Sequence, residues 1–175
     1  MRSQGLLRLA RTQLLRLQWP PATVAIDVIW SENGSGVIRL PKGTSLWHAG
    51  LVGPQQPLND ERGLWLTNES SLRHNYSECA GQYARQIGAA AFLREFQTVR
   101  ELRLADFGKA SMGNFTEKFC NAEHDLMKRA VLAWIRRRGF DGIVSINGGA
   151  DEVVISRPVA DLEQIAEEQL WPTPM

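Results

Sequence analysis

Turn-forming residues punctuate this chain so regularly that most of the segments between them are only strand-length, and that limits the fold more than any other feature. Pro20-Pro21, Asn33-Gly34, Pro41, Gly43, Pro57, Gly63, Gly139, Gly148-Gly149 and Pro158 each mark a stop or a reversal. Short strands cannot bury a face alone. They must pair into a sheet and be covered by the few helices available, which predicts an α+β fold.

The individual segments follow from their periodicity. Residues 23–30 (TVAIDVIW) are β-branched and partly alternating, so they predict a strand, with residues 37–40 as its hairpin return. Ser45 to Gly50 and Gly63 to Thr67 read as strands, and residues 51–62 between them as loop. Asn68 is placed to cap a helix. The stretch from Ser70 to Phe96 reads as mostly helical, interrupted near Gly81 and Gly88, and Thr98 to Phe107 as a strand with one wet face. The clearest helix spans 121–138. Asn121 caps it, acids occupy its first turn, Arg136, Arg137 and Arg138 its last, and Gly139 supplies a left-handed exit. Its expected buried stripe is Met127, Ala130, Val131 and Trp134. Strands are predicted over Phe140–Ile146 and Asp151–Ile155, and a final helix over Asp161–Leu170.

Composition excludes several classes. Apolar residues make up 43% and charged residues 22%, and 20 basic against 19 acidic residues leave a net charge of +1. Neither nucleic acid nor an anionic membrane is implied as a partner by bulk charge. No segment approaches the roughly 18 consecutive apolar residues a membrane helix needs. Cys79 and Cys120 are the two cysteines, without CxxC spacing. They read as two free, partly buried thiols, with one disulfide between them as the alternative. Residues 1–20 form a separate unit, an amphipathic basic helix carrying Arg2, Arg8, Arg11 and Arg16 and no acid. It suits a helix docked on its own domain, a transit peptide or a membrane-surface helix, and it lacks the pattern of a secretory signal. Residues 21–175 read as one domain of ordinary size.

Phosphate-loop, dinucleotide glycine-loop, HExxH and GxSxG motifs are absent. The three histidines, His48, His74 and His124, show no metal-ligand spacing, so no metal site is expected. His48 ends a short strand just before Ala49-Gly50, where the backbone can approach a ligand closely. Taken alone it reads as a strand-end histidine with one backbone hydrogen bond. Glu152 opens an otherwise apolar strand directly after a glycine turn. It is either a solvated edge charge or a carboxylate aimed into a cleft, where it could offset developing positive charge.

The ordered elements resemble a known family. A strand ending His48-Ala49-Gly50 is followed by Gly63-Leu64-Trp65-Leu66-Thr67 and a tyrosine-bearing helix. Gly139-Phe140-Asp141-Gly142-Ile143 and Asp151-Glu152-Val153-Val154-Ile155-Ser156-Arg157-Pro158 complete the set. This resembles the ADP-ribosyltransferase fold of bacterial toxins and poly(ADP-ribose) polymerases, in its His–Tyr–Glu branch, over roughly residues 40 to 165. The resemblance implies a split β-sandwich of short strands with flanking helices and NAD as substrate. It also implies cleavage of the nicotinamide–ribose bond. His48 and Gly50 would hold the adenosine ribose end. Trp65 and Thr67 would lie on the strand that supports the pocket floor, and Tyr76, ahead of Tyr83, would stack on the nicotinamide ring. Glu152 would stabilise the oxocarbenium-like transition state as the catalytic residue.

The branch that modifies arginine carries Glu or Gln two residues before its catalytic Glu. Here that position is Ala150, so arginine is disfavoured as the acceptor. The resemblance thus implies a mono-ADP-ribosyltransferase toxin or effector with an unidentified acceptor: protein, nucleic acid or small molecule. An NAD glycohydrolase or phosphorylase of the same fold would use water or phosphate instead. A cognate immunity or antitoxin protein is the partner such a toxin implies, and the cytosol of the producing or target cell is its expected location. A catalytically inactive nucleotide- or protein-binding module is the reading from a different class. An accidental likeness in a generic α+β binding domain is the last.

Overall fold

The computed structural model describes residues 26–28, 30–31, 35–51, 57–68, 73–108, 124–144 and 152–171. The expectations for residues 1–20, the Asn121 cap and the glycine turn at 147–150 lie outside that set, as does Cys120. The described residues form one eight-stranded mixed sheet with helices, and the expected α+β class holds. In chain order the elements are β1 (Gly36–Leu40), β2 (Ser45–Gly50), β3 (Leu64–Thr67), α1 (Arg73–Ile87), β4 (Ala91–Thr98), β5 (Leu102–Asp106), α2 (His124–Arg138), β6 (Gly142–Val144), β7 (Glu152–Ile155), α3 (Pro158–Asp161) and β8 (Leu162–Trp171). Across the sheet the order is β1-β5-β6-β7-β3-β2-β4-β8. Among the described strands only β5 and β6 pair in parallel, and α2 lies in the long connection that a parallel pair requires.

β7 shows why the core has two halves. Its sequence, Glu152-Val153-Val154-Ile155, is apolar at three successive positions because both faces of the sheet are covered there. Val154, with Ala105 and Ile143, faces a cluster built by Val131, Leu132, Trp134 and Ile135 of α2. Val153 and Ile155 face the other way, with Leu46, Leu64, Leu66, Phe96, Leu104 and Val144. Trp134 is fully buried at the centre of the first cluster. Phe107 and Trp30 meet it edge-on at 5.5 Å, and Phe140 stacks on it at 5.8 Å. Of the expected stripe of α2, Ala130, Val131 and Trp134 pack in this cluster, joined by Leu132 and Ile135, while the side chain of Met127 lies outside the described residues. Gly139, at φ +70°, ends the helix as predicted.

Several sequence expectations are corrected. Residues 26–28 and 30–31 are helical, not a strand, and among the described residues no hairpin with 37–40 forms. Ile26 and Trp30 stand four apart on one helical face and pack into the α2 cluster, while β1 pairs antiparallel with β5 instead. The helical reading of 70–96 ends at Ile87, because Gly88 turns out of the helix at φ +67° and Ala91–Thr98 becomes a strand. That strand, β4, is held between β2 and β8, so its backbone is paired on both sides. Gly81 lies inside the continuous helix α1. The strand expected over 98–107 is shortened to β5, since Val99 and Arg100 form a bend. The largest error is the final helix. Leu162–Trp171 is rich in helix formers, yet it pairs with the whole of β4, and the ion pair between Arg94 and Glu167 (2.6 Å) fastens it there. Cys79 is a free thiol, exposed where partial burial was expected.

The joint between β5, β6 and β7 centres on Asp141. Its carboxylate accepts from Arg100 Nη2 (2.7 Å), Arg100 Nη1 (3.2 Å) and the Arg103 N–H (2.8 Å). Its carbonyl accepts from the Ser156 N–H and hydroxyl, both at 2.9 Å, and its own N–H donates to Arg103 O. Burial works against ionisation of Asp141, but the hydrogen bonds from Arg100 and Arg103 outweigh it, and the carboxyl is held below its ordinary range. Its contribution is therefore present above the ordinary carboxylate pKa and lost as pH falls through the lowered one. Asp141→Ala is expected to cost roughly 2–3 kcal/mol at pH 7, the scale of losing charged hydrogen bonds. In urea unfolding the gap from the parent should narrow steadily below about pH 4. An equal gap at pH 7 and at pH 2.5 would contradict the assignment.

Candidate functional site

The sheet is weakest where β2 meets β3. Among the described residues a single position pairs, Trp47 opposite Thr67, whereas β3 pairs with β7 over four positions and β2 with β4 over six. Thr67 also stands opposite Glu152, so Trp47, Thr67 and Glu152 form one row across three strands. Directly paired residues share a face. The row thus lies on the same face as Trp65 and Val154, the face covered by α2. Thr67 is buried and Glu152 half-buried.

His48 follows Trp47, so its side chain leaves β2 on the opposite face. Its ring turns into the seam, and Nδ1 lies 2.7 Å from Trp65 O. That imidazole nitrogen occupies the place where a β2 backbone donor would have continued the ladder. Burial disfavours the charged ring. The hydrogen bond to Trp65 opposes this, but the positive charges of Arg94 and Lys128 add to the burial effect and the pKa lies below the ordinary value. A neutral imidazole bonded to a carbonyl, which can only accept, must carry its proton on Nδ1. Nε2 is then a bare acceptor. It is buried and without a hydrogen-bond partner among the described residues.

Two other polar atoms share this condition at the same seam. Trp47 Nε1, a donor, and Asn68 Oδ1, an acceptor, are buried and unpartnered among the described residues. Three of the four such atoms thus belong to Trp47, His48 and Asn68, although buried polar groups are normally satisfied. Gly50 explains how the His48 ring fits. A β-carbon there would lie 2.9 Å from Nε2, so only glycine leaves that lone pair room.

Of the residues singled out in the sequence, His48, Gly50, Trp65, Thr67 and Glu152 thus lie on three adjacent strands. The two tyrosines are on α1, which packs against β2, β4 and β8. Tyr76 is in the first turn, the end nearer Thr67 in the chain, and is 39% exposed. Tyr83 is 54% exposed and stands seven residues on, about 10 Å further along the axis. Among the described residues no group of His, Cys, Asp and Glu could hold a metal ion, and no helix is long and apolar enough to cross a membrane.

Sequence reasoning missed Trp47, Asn68 and Lys128. Lys128 stands four residues before buried Leu132 and seven before buried Ile135. A lysine on the apolar stripe of a helix was the available signal. Trp47 and Asn68 offered none, because their unpartnered atoms follow from the seam alone.

No protein-family model matches the sequence, and no curated protein does. Among solved structures, a chain of the M. tuberculosis MbcT–MbcA toxin–antitoxin complex is similar. Its TM-score is 0.51 at 12% identity, and the match covers 85% of this chain and 91% of that one. At that identity the likeness is one of fold.

Two expected outcomes follow from the seam. A depressed His48 pKa means that the unfolded chain takes up a proton the folded one resists. Stability should fall as pH drops below about 6.5, the ordinary histidine value, until the lowered pKa is passed. His48→Gln should flatten thermal stability between pH 7 and pH 5, and an unchanged slope would show that His48 is not the buried neutral group. Gly50→Ala should leave the melting temperature within a few degrees of the parent. It should nonetheless abolish ligand-induced stabilisation, because the new methyl group crowds Nε2.

Proposed function

We propose that this chain is a toxin-type enzyme of the ADP-ribosyltransferase fold, a split β-sandwich in which the β2–β3 seam marks the split. It binds NAD and breaks the nicotinamide–ribose bond. The observation that carries this reading is the neutral His48 with an open acceptor at Nε2, one residue from the row that ends in Glu152. A ribose hydroxyl is the donor that such an acceptor suits, and Gly50 leaves it space. The resemblance noted in the sequence assigns the same residues. The fold-level likeness to a toxin–antitoxin chain supports a toxin-like role with an antitoxin as partner.

In this mechanism His48 holds a ribose through Nε2, and Tyr76 stacks on the nicotinamide ring. Trp65 and Thr67 form the floor. As the C1′–N bond breaks, nicotinamide leaves with the bonding pair and the ribose becomes positively charged. The Glu152 carboxylate offsets that charge. An acceptor oxygen or nitrogen then adds to C1′ and gives up its proton. The acceptor is a protein, nucleic acid or small molecule in the transferase form and water or phosphate in the glycohydrolase or phosphorylase form. The cytosol, where NAD is available, is the place such an enzyme would act.

The test is nicotinamide release by the purified protein, with and without cell extract. Glu152→Gln should lower release about 10²–10³-fold, as removing one transition-state contact does, while NAD still raises the melting temperature. Release from the variant at the parent's rate would sink the catalytic assignment. In extract, ADP-ribose attached to a macromolecule or an organic small molecule identifies the transferase form, and free ADP-ribose or its phosphate identifies the other.

A further inference from the structure

We propose that Lys128 is the diphosphate contact of the dinucleotide site, an assignment that rests on the NAD reading above. Lys128 lies on α2, half-buried, with Nζ 5.3 Å from the centre of the Trp65 ring. Its ammonium faces an indole, and among the described residues no carboxylate pairs with it. The other cations near the core are engaged. Arg94 is paired with Glu167, Arg137 and Arg138 with Asp27, and Arg136 donates to the carbonyls of Asp60 and Ser156.

Position agrees with this role. Trp65 is both the ring beneath Lys128 and the residue whose carbonyl fixes His48. Two residues along β3, Thr67 stands opposite Glu152. The ammonium therefore lies beside the strand that separates the ribose acceptor from the catalytic carboxylate, and its charge reaches His48. In a dinucleotide the diphosphate likewise joins the two riboses. An ammonium presented on an aromatic face, and partly withdrawn from water, is a strong point-charge partner for a phosphate oxygen. The same cation helps keep His48 neutral, so the acceptor and the anion contact are matched to one ligand.

The experiment measures binding of NAD, ADP-ribose, inorganic pyrophosphate and nicotinamide riboside by calorimetry. It uses Lys128→Gln and Lys128→Arg, each in a Glu152→Gln background so that no ligand is consumed. Lys128→Gln should weaken the three phosphate-bearing ligands about tenfold to a hundredfold and leave nicotinamide riboside unchanged. Lys128→Arg should retain most of the affinity. Unchanged NAD affinity in Lys128→Gln overturns the proposal and leaves the NAD reading standing. Loss of riboside binding as well would make Lys128 a structural residue and overturn it too. If pyrophosphate binds in a Lys128-dependent way while NAD and the riboside do not bind, the anion contact stands and the NAD reading falls.

Discussion

Asp141 is the constraint on which the arrangement depends, because one residue closes three strands at once. Its side chain fixes Arg100 and the Arg103 backbone at the start of β5, and its backbone takes Ser156 just after β7. Arg100 extends the joint to Asp161, where Nη2 and Nε lie 2.7 and 3.1 Å from Oδ1, and so to the start of β8. Gly142, next in the chain, lets β6 lie against β7; a β-carbon there would fall 2.1 Å from Val154 O. With β7 held this firmly, Glu152 at its first residue has a defined position, and so does Thr67 opposite it. The short runs Phe140-Asp141-Gly142 and Ser156-Arg157-Pro158, part of the resemblance, are thus framework, and the proposed site stands at the far end of the strands they secure.

The same distinction explains what could be read in advance. β2, β3, β6 and β7 were legible because each is a short apolar run with turn residues at both ends, and α2 because its caps, charges and stripe agree with one another. Glu152 and His48 were legible as positions but not as partners. Their relation depends on Thr67 standing between them, which is a matter of register. β8 was illegible in a different way. Leu162-Glu163-Gln164-Ile165-Ala166 favours a helix locally, and only the pairing with β4 and the Arg94–Glu167 contact override that preference. The segment at 26–31 fails for the opposite reason: β-branched residues suggested a strand, but its partner, β1, was already committed to β5.

The seam between β2 and β3 then reads as a cost accepted locally by a frame that can tolerate it. Continuing the ladder there would satisfy Trp65 O with a backbone donor, and the sheet would gain the pairing it lacks. Instead a histidine ring fills that role. An indole N–H, an imidazole nitrogen and an amide oxygen are left unpartnered among the described residues, each an expense of about 1–3 kcal/mol if nothing meets it. A structural histidine needs only its Nδ1 bond, and its Nε2 could as well have faced a side-chain donor. Here Nε2 faces a glycine, with a half-buried ammonium nearby that disfavours protonation. Each of those choices keeps one lone pair open and neutral. The proposed site, with an acceptor for a hydroxyl donor beside a cation for an anion, would account for all of them together.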